Sequence, residues 1–178
     1  LALSDVQAMD GEDRAVIDPV LCALAQLDPD PNATTVALGS HFTEPTTWLV
    51  TGRVPFSSGR KWGGMTFTTK DGKAAGSWVL GAPENVLGKA YTGALQEQVE
   101  QHAAKGERVL VLAGTDATFA SEDMELPKVR PVALVLLEDV MRADAPATLK
   151  YFADQGVIVK VISGDNNVTV GAVAQKAG

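Results

Sequence analysis

A chain of 178 residues allows one domain or two small ones, and a hydrophobic content of 46% is enough for a buried core. A net charge of −7 and a pI near 4.8 argue against nucleic acid or an anionic membrane surface as partners, and no apolar run approaches the ~18 residues that span a bilayer. The lone Cys22 excludes an intramolecular disulfide framework and is expected as a small buried residue.

Residues 1–12 are polar and irregular in pattern. Asp18-Pro19 is expected to open a helix, with Asp18 as the cap and proline at the first helical position. Val20, Leu21, Leu24 and Leu27 follow at helical spacing, and Asp28-Pro29-Asp30-Pro31 breaks the run. Asn32 caps a second helix, to which Val36, Leu38 and Phe42 supply apolar contacts. Trp48 to Phe56 is extended. Gly63–Lys70 and Lys73–Leu80 flank Asp71-Gly72, the strongest short hairpin signal in the chain. Gly81-Ala82-Pro83-Glu84 turns the chain into helix. Leu95, Val99 and Ala103 continue at a spacing of four until Gly106, a C′ glycine. Arg108 to Ala113 is a compact apolar strand.

Composition shifts near Pro127–Pro131. Val132–Leu137 is a continuous apolar run, as expected of a strand covered on both faces. Asp144-Ala145-Pro146 begins a helix that ends at Gly156, and Val157–Ile162 is a second apolar run. Strand, helix and strand in about thirty residues predict a βαβ unit with parallel pairing. The expected fold is α/β in two parts. Residues 1–128 form an α+β domain with an antiparallel sheet and flanking helices, and residues 129–178 an incomplete βαβ domain. The start at Leu1 and the absence of a visible signal peptide are expected of a piece of a longer intracellular protein.

Three places in the sequence suggest chemistry. Ser163-Gly164-Asp165 follows the apolar run 157–162, where a hydroxyl at a strand tip suits a phosphoryl oxygen. Asp139 and Arg142 follow the neighbouring run, and acidic tips with an arginine suit a magnesium–phosphate site. Pro55-Phe56-Ser57-Ser58-Gly59-Arg60-Lys61-Trp62 sets two cations between two aromatics, a pattern that stacks a base and neutralises phosphate or, equally, a basic loop with two core anchors. His41 and His102 lack partners at metal spacing, and no Walker-type Gly-x-x-x-x-Gly-Lys-Ser/Thr loop is present.

In this order, Pro55–Lys61, Gly81–Glu84, Gly106–Ala113, Asp139–Arg142 and Lys160–Asn166 resemble the cytoplasmic region of P-type cation-transporting ATPases. The resemblance implies a nucleotide-binding domain followed by part of a haloacid-dehalogenase-like phosphorylation domain. It implies that Phe56 stacks on adenine, Lys61 lines the pocket, Arg108 meets phosphate or sugar, and Gly81 admits the ligand to the backbone. Thr35 stands where the family often has a glutamate near adenine, and Leu80 where it usually has a lysine. Ser163, with Gly164 and Asp165, would hold a phosphoryl oxygen and face the nucleotide, while Asp139 and Arg142 would sit where the two domains meet. No protein metal site is implied within the chain.

The phosphorylated Asp-Lys-Thr-Gly-Thr motif and the later Gly-Asp-Gly loop are both absent. The expectation is therefore a segment that binds ATP or ADP, with Mg²⁺ held mostly by residues beyond it, and does not hydrolyse it alone. Its partners would be the phosphorylation and membrane domains of its parent, a cation pump in the cell membrane, with this segment on the cytoplasmic side. Two other readings are a soluble haloacid-dehalogenase-type phosphatase with a large cap and a non-catalytic nucleotide-binding module. The first needs an Asp-x-Asp nucleophile, and Asp28-Pro29-Asp30 sits in a helix break.

Overall fold

The computed structural model describes residues 1–140, 144–163 and 167–177. Its centre is a six-stranded, wholly antiparallel sheet. The strands are β1 (Ala2–Ala8), β2 (Leu49–Ser57), β3 (Trp62–Thr68), β4 (Ala74–Gly81), β5 (Glu107–Thr115) and β6 (Arg130–Glu138). Across the sheet they run β1-β6-β5-β4-β3-β2. The helices are α1 (Arg14–Gln26), α2 (Ala33–His41), α3 (Pro83–Leu87), α4 (Gly93–Ala104), α5 (Ala145–Asp154) and α6 (Asn167–Ala177), with a short 3₁₀ turn at Gly88–Ala90.

Alternation along the central strands puts successive side chains on opposite faces. Val135 and Leu137 join Ile17, Leu21 and Leu38 in a core under α1 and α2. Leu134 and Leu136 join Val86, Val99 and Phe119 in a second core on the other face, under α3 and α4. The Asp71-Gly72 hairpin forms as its sequence predicts, with Gly72 at φ 80° and Thr69 N–H donating to the Lys73 carbonyl at 2.9 Å. The Thr69 hydroxyl and then Lys73 hold the Asp71 carboxyl below its ordinary value. Their support of the turn is complete above that ordinary value and fades as pH falls through the lowered one. Cys22 is buried, and burial followed by the Glu44 charge pushes its thiol up, which makes it a poor nucleophile near neutral pH.

Three expectations are corrected. Residues 2–8 form an edge strand, not an irregular lead: a bulge between Leu3 and Asp5 and a single buried residue, Val6, obscure its period. Helix α1 starts a turn early because the Asp13 carboxylate, not Asp18, accepts the capping N–H, from Ala15; Pro19 lies inside the helix on its exposed side.

The third concerns the βαβ unit. Residues 132–137 are covered on both faces, as expected, yet β6 pairs antiparallel with both β1 and β5 in the first part's sheet. Two-sided burial fixes that a strand is central, not that its neighbours are parallel. Residues 157–163 form no ladder; Ile158 is 84% and Ile162 95% exposed. Helix α6 instead lies against α4, with Thr169 Oγ1 donating to the Glu107 carbonyl (3.3 Å) and Lys176 Nζ to the Lys105 carbonyl (2.7 Å).

Candidate functional site

Register explains how distant residues converge. Ser57 of β2 pairs with Trp62 of β3, Trp62 with Gly81 of β4, and Gly81 with Val111 of β5. The ends of β2, β3 and β4 thus form one row beside the middle of β5, and the first turn of α2 faces it. Between them lies a cavity of about 290 Å³. Thr35, Phe56, Lys61, Leu80, Gly81 and Arg108 all line it.

The two aromatics of the basic motif part company. Trp62 is 4% exposed and belongs to the core, whereas Phe56 is 49% exposed. A large apolar ring left half in water at a cavity wall is unspent binding surface. Gly63 lets the hairpin close on it: a Cβ there would lie 2.9 Å from the Phe56 backbone nitrogen.

The two cations separate as well. Arg60 Nη2 donates to the Pro55 carbonyl at 2.6 Å, and the guanidinium stacks 5.6 Å from the Trp62 ring centre. Arg60 fastens the turn, and Lys61 lines the cavity. Lys61 has φ +63°, a left-handed backbone that costs a residue with a Cβ on the order of 1 kcal/mol. Its N–H donates to the Ser57 carbonyl (2.8 Å), and its carbonyl accepts from Ala82 N–H (2.9 Å). Lys61→Gly is therefore expected to hold or raise stability by up to ~1 kcal/mol while removing a cation from the cavity, and Lys61→Ile to lower it by ~1–2 kcal/mol. Denaturant melts of the two variants check the pair, and equal stabilities would contradict it.

Gly81 has a packing reason of its own. A Cβ there would fall 2.5 Å from Trp62 Cβ and 2.6 Å from the Lys61 carbonyl oxygen. Thr35 is buried, and its hydroxyl donates to the Asn32 carbonyl at 3.0 Å. Arg108 lies near the start of β5, beyond the end of its pairing with β4.

Asp139 and Ser163 are not brought to this cavity. Both line a second one of about 490 Å³, walled by Leu149, Val157, Val161 and Val173. Thr169 lines both. Arg142, Gly164 and Asp165 lie outside the described residues. Among the described residues, no three His, Cys, Asp or Glu side chains are grouped to hold a metal ion. His102 Nδ1 lies 2.6 Å from Glu107 Oε2, and His41 meets the edge of Phe42.

Sequence reasoning missed Asn32, Glu84 and Thr169 at the first cavity. Asn32 was legible as a helix cap and Glu84 as part of the corner motif. Nothing in the sequence marks Thr169.

No family model matches the chain. The calcium-transporting ATPase CtpE of Mycobacterium tuberculosis is 44% identical across 100% of this chain and 22% of its own length. The protein of that name in Mycolicibacterium smegmatis is 44% identical across 89% of this chain and 19% of its own length. The probable cation-transporting ATPase exp7 of Streptococcus pneumoniae is 36% identical across 91% and 20%. The chain thus spans about a fifth of the length of the curated relatives it matches. No described helix is long and apolar enough to cross a membrane. With the motifs in order and this chain covered nearly end to end by a fifth of each relative, the chain belongs, as a segment, to the P-type cation-transporting ATPases.

Proposed function

We propose that the first cavity takes ATP or ADP, and that this chain is the nucleotide-binding domain of a cation pump together with the start of its phosphorylation domain. One observation carries the reading: a half-exposed aromatic ring, two cations and a close-packed glycine corner, far apart in sequence, line a single cavity. Phe56 stacks on adenine. Lys61 and Arg108 face sugar and phosphates, and in a chain of net charge −7 a pair of cations at one cavity suits a polyanion. Leu80, in place of the usual lysine, supplies apolar wall and one cation fewer.

A volume of about 290 Å³ stands at the small end of ligand pockets, roughly 300–1,000 Å³, which favours the base and sugar inside and the phosphates at the open rim. Mg²⁺ would arrive on those phosphates, since the described residues offer no three-ligand group of their own.

The position of β6 in the sheet supports a first domain that runs to about Glu138 rather than to 128. Asp139, Arg142 and Ser163-Gly164-Asp165 would then belong to the phosphorylation side, with Ser163 holding a phosphoryl oxygen once that haloacid-dehalogenase-like domain is complete. In the parent, ATP would phosphorylate an aspartate in line and drive a cation across the membrane, with this segment on the cytoplasmic face. No Asp-Lys-Thr-Gly-Thr motif is present, so the chain alone binds nucleotide without turning it over.

Calorimetric titration with ATP, read alongside backbone amide shifts, tests this. Saturable binding is expected, with shifts at residues 32–35, 56–63, 80–84 and 106–110 and no phosphate release. Shifts elsewhere, or no binding at millimolar ATP, would overturn the site. Turnover by the purified chain would overturn the inactive-segment reading.

A further inference from the structure

We infer that, whatever the first cavity binds, residues 157–162 form a docking edge for a second copy of this chain, the two strands pairing antiparallel about a twofold axis at Val159. Helix α5 ends at a left-handed glycine, Gly156 at φ 72°. Gly156 N–H donates to the Ala153 carbonyl (2.9 Å) and Val157 N–H to the Phe152 carbonyl (2.9 Å). That pair of bonds is a Schellman stop, and it sets the direction in which the next residues leave the helix.

Beyond the stop, side chains alternate with the period of a strand. Val157, Val159 and Val161 line the second cavity beside α5 and α6. Ile158 is 84% and Ile162 95% exposed, and Lys160 is exposed between them. The run holds five β-branched residues and neither proline nor glycine, yet residues 158–162 pair with no described strand. A strand of this composition with an open backbone edge is a template for another strand. Among the described residues, nine of the fourteen large apolar side chains left exposed lie between Val140 and Val168, so the apolar surface of the chain is concentrated here.

Charge selects the partner. The whole chain carries −7, so two copies repel over most of their surfaces. From Asp144 to Ser163, however, Lys150 and Lys160 balance Asp144 and Asp154, and copies can meet there without that penalty. Charge also selects the register. Two antiparallel copies related by a twofold axis place one residue opposite itself. Centring on Lys160 sets two ammonium groups face to face, which is unfavourable. Centring on Ile158 or Val161 pairs fewer residues of the run. Centring on Val159 pairs residues 157–161 with their counterparts and gathers the valines of both copies on the cavity side. It also lays each Ile158 beside the Lys160 of the other copy, whose methylene stem covers it. Five paired residues a side fall well below the ~1,200–2,000 Å² of stable complexes, so a weak dimer is expected, with a Kd on the order of 100 µM.

Sedimentation equilibrium of the whole chain, across two decades of concentration around that value, is expected to show the mass rising from 18.6 kDa toward twice as much. Two variants at the exposed Ile158 test the register. Ile158→Glu sets a carboxylate beside the other copy's Lys160 and is expected to keep the dimer. Ile158→Lys sets ammonium against ammonium, twice per dimer, and is expected to bind about fivefold or more weakly than Ile158→Glu. Both remove the same apolar side chain, so unspecific clustering would fall equally in the two. Net charge alone would push the other way, because glutamate adds to the −7 and lysine offsets it. Cysteine substitution gives a second measure. On the axis, Val159→Cys meets its own counterpart and should cross-link under mild oxidation. Val161→Cys, four residues out of step with its counterpart, should not, and the native Cys22 is buried.

Equal self-affinities in the two Ile158 variants, or equal cross-linking at positions 159 and 161, would overturn the inference. So would a monomer at every concentration, which would leave the open edge to a strand of the longer parent protein.

Discussion

A chain cut after residue 128 is expected not to fold, whereas one cut after residue 140 is expected to melt cooperatively. The difference is β6. It sits between β1 and β5, so its loss strips two ladders at once and leaves β1 with no partner in the sheet. Residues 132–137 are all at most 1% exposed and feed both cores. Burying each of the larger aliphatic side chains contributes about 1.5–3 kcal/mol, and five are lost in a domain whose net stability is about 5–15 kcal/mol. The deficit is as large as the whole. Removing residues 141–178 takes away the hydrogen bonds from Thr169 and Lys176 to backbone carbonyls, which are modest terms. Circular dichroism melts and amide dispersion of the two truncations decide the matter. A cooperative transition in the shorter one would refute the central role given to β6.

Phe56→Ala is expected to weaken ATP binding about 5- to 150-fold, the loss of ~1–3 kcal/mol that follows from removing one base–aromatic stack. Stability should change little, because the ring is 49% exposed and belongs to neither core. That contrast gives the variant its diagnostic value. Trp62→Ala, packed against the Gly81 corner, would disturb the core and the cavity together and report on neither cleanly. Unchanged affinity in a folded Phe56→Ala chain would exclude stacking. Unfolding would show that the exposed ring is a packing element after all.

The parts of the fold that were legible in the sequence are those with a local cause. Asp71-Gly72 dictates a tight turn by backbone conformation alone, and the Asn32 cap and the Gly106 terminus act within one helical turn. What stayed hidden depends on partners distant in the chain. The polar pattern of residues 1–12 conceals an edge strand because an edge needs to bury only one face, here chiefly through Val6. The direction of β6 relative to its neighbours is a property of the sheet, and an apolar run carries no sign of it. Residues 157–162 have the composition of a central strand, but a strand needs a neighbour to bond, and no described segment supplies one.

The candidate site divides along the same line. Phe56, Leu80 and Gly81 fall at strand ends that pairing brings side by side, Lys61 lies in the turn next to them, and Arg108 reaches the same cavity from β5 beyond its pairing with β4. Asn32 is legible as a helix cap, but its place at the cavity depends on where α2 packs against the sheet, which a capping pattern does not tell.

The pairing of Ala2 with Glu138 has a mechanical consequence. The polypeptide enters this sheet and leaves it at neighbouring points, only two strands wide. Both cores, and all of the first cavity's lining except Thr169, lie between those two points. The segment beyond residue 138 nevertheless returns to this body, where α6 lies on α4 and Thr169 donates to the Glu107 carbonyl. A displacement of that segment would therefore cost the contacts of α6 as well as torsions next to residue 138, and would open the cavity wall at Thr169.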